Sequence, residues 1–195
     1  VIIADICGFT TIAEAMAPTD VMDLLQHFYG RMETIASRHC GSLAVSSGDM
    51  LLITFGLPIT GCSDATNALA CAREMLDKQR QWNRERSAIN EPPITIGIGV
   101  HYGPVVSGMM GGERSMAFSV IGDTVNIASR LENLTRSLET DLVISADLIK
   151  KVHEEANLSR SAENIENLSP IGALLLEGRS ERIDAYSLPR RDKND

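Results

Sequence analysis

The chain has 195 residues, 44% hydrophobic and 23% charged, with a net charge of −8. That length fits one domain with a sizeable core. The acidic balance excludes the electrostatic footprint needed to wrap DNA or RNA, but a triphosphate remains open as a ligand, since local donors and cations can hold it whatever the global charge.

In chain order, Val1-Ile2-Ile3-Ala4 is a β-branched run ending in Asp5 and reads as a buried strand. Ile6 to Thr11, with Gly8, reads as a turn. Pro18 and Thr19 signal a helix start and Gly41 its stop; between them Val21, Leu24, Leu25, Phe28, Met32, Ile35 and Ala36 form an apolar stripe at helical spacing. Two short runs around Ser47-Gly48-Asp49 predict a hairpin with Asp49 at its tip. A second helix starts at Ser63 and continues through Leu76, with Arg80 to Glu91 as a polar exit.

Ile94 to Val100 alternates β-branched residues with glycine, the pattern of a strand packed closely on a neighbour. Val105-Val106 opens another strand, Gly108, Gly111 and Gly112 mark a turn, and Met116 to Ile121 returns. Asp123 is placed as the cap of a third helix with Ile127, Leu131 and Leu134 on its apolar face. Leu142 to Ile144 is a strand, Ala146 starts a short helix, and Ala173 to Leu176 and Ile183 to Leu188 are strands. This order predicts an α+β domain over residues 1–188, an antiparallel or mixed sheet with helices on one face, followed by a polar tail over 189–195.

Cys7, Cys40, Cys62 and Cys71 match no zinc or disulfide spacing and are expected to be buried or half-buried free thiols in a reducing compartment. No apolar run has the length of a membrane span. Because the chain opens on Val1 in an apolar strand, a fragment of a larger protein is expected.

Two carboxylates carry the first chemical signal. A strand end and a hairpin tip can set Asp5 beside Asp49, where both would repel unless Mg²⁺ ions lie between them. Such ions would also bind triphosphate oxygens and lower the pKa of a ribose hydroxyl. Ordinary turn chemistry explains either Asp alone equally simply. The second signal is Asn126 and Arg130, i and i+4 on the third helix and to the side of its apolar stripe. An amide and a planar guanidinium there suit a phosphate that gains charge in a transition state, or else a solvated helix face. Backbone N–H groups around Gly8, Phe9 and Thr10 could cradle a polyphosphate. His101 reads as a structural histidine; His27, His39 and His153 have no metal-ligand spacing; Met109 and Met110 read as core or interface packing.

The ordered set Ala4-Asp5-Ile6-Cys7-Gly8-Phe9-Thr10, Gly48-Asp49, Gly97 to Val105, Val120 to Glu132 and Leu176 to Ser180 resembles class III adenylate and guanylate cyclases over nearly the whole chain. The resemblance implies a ferredoxin-like mixed or antiparallel sheet flanked by helices, acting as a head-to-tail homodimer with two shared sites. It further implies that Asp5, Asp49 and the Ile6 carbonyl hold two Mg²⁺ or Mn²⁺ ions, and that Asn126 and Arg130 of the other protomer orient the ribose and stabilise the α-phosphate. ATP, or less favourably GTP, is the implied substrate, and a 3′,5′-cyclic nucleotide and pyrophosphate are the products.

Departures from the family pattern are informative. ATP-using members carry Lys where this chain has Val45; their second base-reading position falls on Ser119; and a triphosphate Lys is replaced by Glu177, with Arg179 nearby as a substitute. Guanylate cyclases pair Glu with Cys at the two base positions, and neither is present. The alternative implied is a degenerate domain that binds nucleotide and dimerises as a regulatory module. A dinucleotide-forming cyclase fits less well, since Ser47-Gly48-Asp49-Met50 stands where its acidic hairpin motif would be. The resemblance also implies a cytoplasmic catalytic domain in a parent with an N-terminal sensor or membrane region.

Overall fold

The computed structural model describes residues 1–112, 115–159, 165–175 and 182–188, the side chains of 45, 46 and 157–159 excepted. Its elements run β1 (Ile2–Ile6), α1 (Phe9–Glu14), α2 (Pro18–Arg38), β2 (Ser42–Ser47), β3 (Met50–Thr54), α3 (Asp64–Ala88), β4 (Ile96–Val100), β5 (Val106–Gly112), β6 (Ser115–Ile121), α4 (Asp123–Ser137), β7 (Leu142–Ser145), α5 (Ala146–Ser159), β8 (Ser169–Leu175) and β9 (Arg182–Leu188). Seven strands form one sheet in the order β2-β3-β1-β4-β7-β9-β8, and β5 pairs with β6 in a separate ribbon. Every neighbouring pair in the large sheet is antiparallel except β4 and β7. This is the mixed α+β sheet flanked by helices that the resemblance implies.

Helices cover both faces of the sheet, which corrects the one-face expectation. Strand alternation decides it. Ile2, Ala4 and Ile6 of β1 join a core with Phe28 and Met32 of α2, Leu69 and Met75 of α3, and Leu148 of α5. Ile3 points the other way and packs with Ala128 of α4, while Ile127 and Leu131 of α4 meet Val143 and Ile183. The alternating glycines of β4 allow α4 this close approach. A Cβ on Gly99 would lie 2.1 Å from the Ala128 carbonyl oxygen, and one on Gly97 would lie 2.6 Å from Glu132 Oε1. Gly99→Ala is therefore expected to destabilise the chain by about 1–3 kcal/mol, read in denaturant unfolding. An unchanged midpoint would mean that α4 does not pack as tightly as this.

Several boundaries moved. The turn after β1 is a left-handed Gly8 (φ 70) followed by a one-and-a-half-turn helix, so Phe9 and Thr10 are helical. At the end of α2 the left-handed residue is Cys40 (φ 59), not Gly41. Gly41 is needed instead for space, since a Cβ there would meet the Phe55 ring at 2.8 Å.

Helix α3 continues through the polar stretch as far as Ala88 because that stretch is fastened down. Trp82 is buried, with the Arg31 and Arg86 guanidiniums over its ring. Asn83 exchanges two hydrogen bonds with the Ile94 backbone, at 2.8 and 2.9 Å, and Gln79 donates to the same carbonyl. Gly108, Gly111 and Gly112 lie within β5 and do not form its turn. Asp123 is the first residue of α4 and not its cap. Gly122 (φ 149) makes the bend into α4, and the Thr124 hydroxyl donates to the Pro104 carbonyl at 2.6 Å.

Cys40 and Cys62 are exposed, against expectation, whereas Cys7 is half-buried and Cys71 buried; all four are free thiols. Among the described residues no helix is long and apolar enough to cross a membrane. The tail over 189–195 lies outside the described residues.

Candidate active site

The β1–β3 register brings the two predicted carboxylates together. Pairing of Ile2 with Ile53 and Ala4 with Leu51, continued by two residues, puts the Ser47–Met50 turn beside the end of β1. The Asp49 carboxyl lies beside that of Asp5, and its pKa is pushed up to about 7. Burial is the largest cause, followed by the hydrogen bond and the charge of Asp5; the Ile6 backbone acts in the opposite sense. Tyr29 of α2 donates its hydroxyl to the Gly48 carbonyl and so ties this turn to the helix layer.

Asp5 divides its two oxygens. Oδ2 accepts from Arg136 Nη2 at 3.1 Å, while Oδ1 is buried and has no hydrogen-bond partner among the described residues. Adjacent acids with an orphaned buried oxygen need a proton or a cation between them. The residues present therefore fit a divalent metal held by Asp5 and Asp49 with a backbone oxygen. Among the described residues no three His, Cys, Asp or Glu side chains gather, so side chains alone would supply an incomplete ligand shell and nucleotide oxygens or water must complete it.

Arg136 comes from α4, and its other contacts are Glu132, one turn earlier, at 3.3 Å and the Asn133 amide oxygen at 3.0 Å. Glu132 is 2% exposed and its pKa is raised to about 7. Burial is the main cause and outweighs the opposing Arg136 charge, and Asp5 adds to the rise. Sequence reasoning passed over Tyr29, Glu132 and Arg136. The available signal for the last two was an acid four residues before a base on one helix.

Asn126 and Arg130 occupy a different edge of α4. The buried arc runs through Thr124, Ile127, Ala128, Leu131, Glu132 and Thr135. At about 100° per residue, Asn126 falls opposite that arc and Arg130 just beyond its Ile127 edge, away from Glu132. Asn126 is exposed and Arg130 half-buried. Neither side chain makes a hydrogen bond or ion pair with another described residue. One helix thus turns Glu132 and Arg136 onto its own sheet and leaves Asn126 and Arg130 available to something outside it.

Gly8 and Thr10 are exposed and Phe9 half-buried, at the start of α1 directly after β1. Ser119 is half-buried on β6 opposite Gly108. Val45 pairs with Leu52 beside a bulge in β2. Arg179 and Glu177 lie outside the described residues. His101 is buried with Nδ1 2.8 Å from the Ser145 hydroxyl, in keeping with a structural histidine.

Comparison with known proteins places this geometry. The family described as "Adenylate and Guanylate cyclase catalytic domain" matches residues 1–181. Adenylate cyclase 1 of Rhizobium meliloti (strain 1021) is 26% identical over 184 residues, 94% of this chain and 26% of that protein. An adenylate cyclase of Anabaena cylindrica is 31% identical over 156 residues, 78% of this chain and 30% of its own. The chain therefore spans under a third of the length of these curated relatives. The crystal structure of the guanylyl cyclase Cya2 superposes with a TM-score of 0.81 at 25% identity, covering 99% of this chain and 92% of that one. By its motifs, its sheet and the reach of the family match, the chain belongs to the class III adenylate and guanylate cyclase catalytic domains.

Proposed function

We propose that the chain is an active nucleotidyl cyclase that converts ATP, in preference to GTP, into the 3′,5′-cyclic nucleotide and pyrophosphate at the interface of a homodimer. The observation that carries this reading is the contact of Asp5 with Asp49 around a buried, unpartnered Asp5 oxygen. Two Mg²⁺ or Mn²⁺ ions bound by Asp5, Asp49 and the Ile6 carbonyl would supply Lewis-acid stabilisation of the triphosphate and a more acidic ribose 3′-hydroxyl.

The chain's own residues do the rest. The backbone at Gly8, Phe9 and Thr10 lies next to Asp5, and its free N–H groups donate to phosphate oxygens. Arg179 adds a cation to the same polyphosphate. Asn126 of the second protomer orients the ribose so that its 3′ oxygen faces the α-phosphorus in line. Arg130 of that protomer donates to the α-phosphate oxygens as charge accumulates there and pyrophosphate departs. Val45 and Ser119 border the base.

A second copy is the expected partner for two reasons. Asn126 and Arg130 are left without partners among the described residues. The β5–β6 ribbon also exposes Val106, Met109, Met110, Met116, Phe118 and Ile121, an apolar surface of the kind that protein partners cover.

The test is product formation by the purified chain with ATP or GTP and Mg²⁺ or Mn²⁺. Cyclic product that disappears in Asp49→Ala supports the reading. Binding of a non-cyclisable ATP analogue without any product would favour the regulatory module, in line with Val45 and Glu177. Val45 cannot hydrogen-bond a base, so Val45→Lys is expected to raise kcat/KM for ATP over GTP roughly tenfold. Unchanged relative kinetics would remove this position from the base pocket.

A further inference from the structure

Arg136 has no place in the reaction outlined above, yet it is the one cation that touches the Asp5–Asp49 pair among the described ion pairs. Its Nη2 lies 3.1 Å from Asp5 Oδ2 and its Nη1 3.3 Å from Glu132 Oε1. It is held from below, because Glu132 is buried against β4 at Gly97, where a Cβ would collide with Glu132 Oε1. Its side chain is also 39% exposed, so it can be reached from solvent.

We propose that Arg136 is a resident counter-cation: its guanidinium occupies Asp5 while no metal is bound, and a divalent ion entering the Asp5–Asp49 pair has to overcome it. This rests on the reading of that pair as the metal site.

The alternative is that Arg136 merely orients Asp5 for the metal, as outer-shell partners commonly do. Charge decides between them. A guanidinium bonded to one oxygen of a carboxylate stands within a few ångströms of any dication on the other oxygen. Their repulsion at an effective dielectric near 20 exceeds what fixing one carboxylate rotamer can return. The arrangement therefore keeps metal affinity low in the nucleotide-free chain. It also leaves a planar, bidentate donor beside the place where phosphate oxygens arrive with their metal, and these can take the guanidinium over.

The experiment is a titration of the nucleotide-free full chain with Mn²⁺ alone, reading free Mn²⁺ by electron paramagnetic resonance. Wild type, Arg136→Gln, Arg136→Lys and Asp49→Asn are compared, with circular dichroism confirming equal folding. Arg136→Gln is expected to bind Mn²⁺ roughly tenfold or more tightly than wild type, after discounting for the solvent around the guanidinium. Arg136→Lys keeps the charge and should stay near wild type, and Asp49→Asn should bind least. Equal or weaker binding by Arg136→Gln, with Asp49→Asn still the weakest, overturns the inference and leaves the metal site standing. Tight binding that survives Asp49→Asn, or no binding by any of the four chains, overturns the metal-site reading and the inference with it. Matching gains in Arg136→Gln and Arg136→Lys would show that charge is not the cause and also overturn it.

Discussion

Mixed in equal amounts, Asp49→Ala and Arg130→Ala chains are expected to recover about a quarter of wild-type cyclase activity. Each variant alone should lose roughly two to three orders of magnitude, the usual cost of removing a group that stabilises charge only in the transition state. The recovery follows from symmetry. Random pairing makes about half of the dimers mixed, and each mixed dimer has one site with both defects and one with neither. The structural basis is the arrangement of α4, whose buried arc binds it to its own sheet while Asn126 and Arg130 lie outside that arc. Arg130 is half-buried without a partner among the described residues, so Arg130→Ala should leave the fold intact. If subunit exchange is demonstrated and activity stays at the level of the single variants, the sites are not shared between chains.

Glu132→Gln is expected to change how stability depends on pH. The folded-state pKa of Glu132 is raised to about 7 from an ordinary value of 4.5, chiefly by burial. Between those values the folded chain binds more protons than the unfolded one, so stability is greatest at low pH and falls as pH rises through this window. For Glu132 alone the fall is on the order of 2 kcal/mol, or about 6 °C in Tm for a chain of this size. Asp49 contributes in the same direction, and less, being more exposed. Glutamine keeps the shape without the titration. The difference in Tm between the metal-free wild type and the variant should therefore shift by about that amount from pH 4.5 to pH 8. Parallel Tm curves would show that Glu132 titrates normally. The same measurement bears on Arg136, which is held by Glu132.

The elements most legible in the sequence were those whose pattern reflects burial on one side. The stripe from Leu24 to Ala36 is the buried face of α2, and Ile127, Leu131 and Leu134 face the sheet from α4. The hairpin around Ser47-Gly48-Asp49 is legible from its residue types; it joins β2 to β3 with Gly48 left-handed (φ 62). Misreadings occurred where polarity was taken for exposure or glycine for a turn. Arg80 to Ala88 is polar but helical, since Gln79, Asn83 and Arg86 spend their hydrogen-bonding groups on the backbone around Pro92 and Ile94. Gly108 and Gly111 sit in a strand whose cross-strand partners are Ser119 and Met116.

By itself the sequence determined the chemistry on offer, namely which acids, amide and guanidinium stand at which spacing, and the order of strands and helices that carries them. These follow from local periodicity and from residue type, which need no distant partner to be read. Only the tertiary structure decided that Asp5 touches Asp49, that helices cover both faces of the sheet, and that Glu132 and Arg136 close over Asp5. Those depend on strand register and on how near α4 comes to Gly97 and Gly99, and such contacts join residues up to 131 positions apart, beyond the reach of any local pattern.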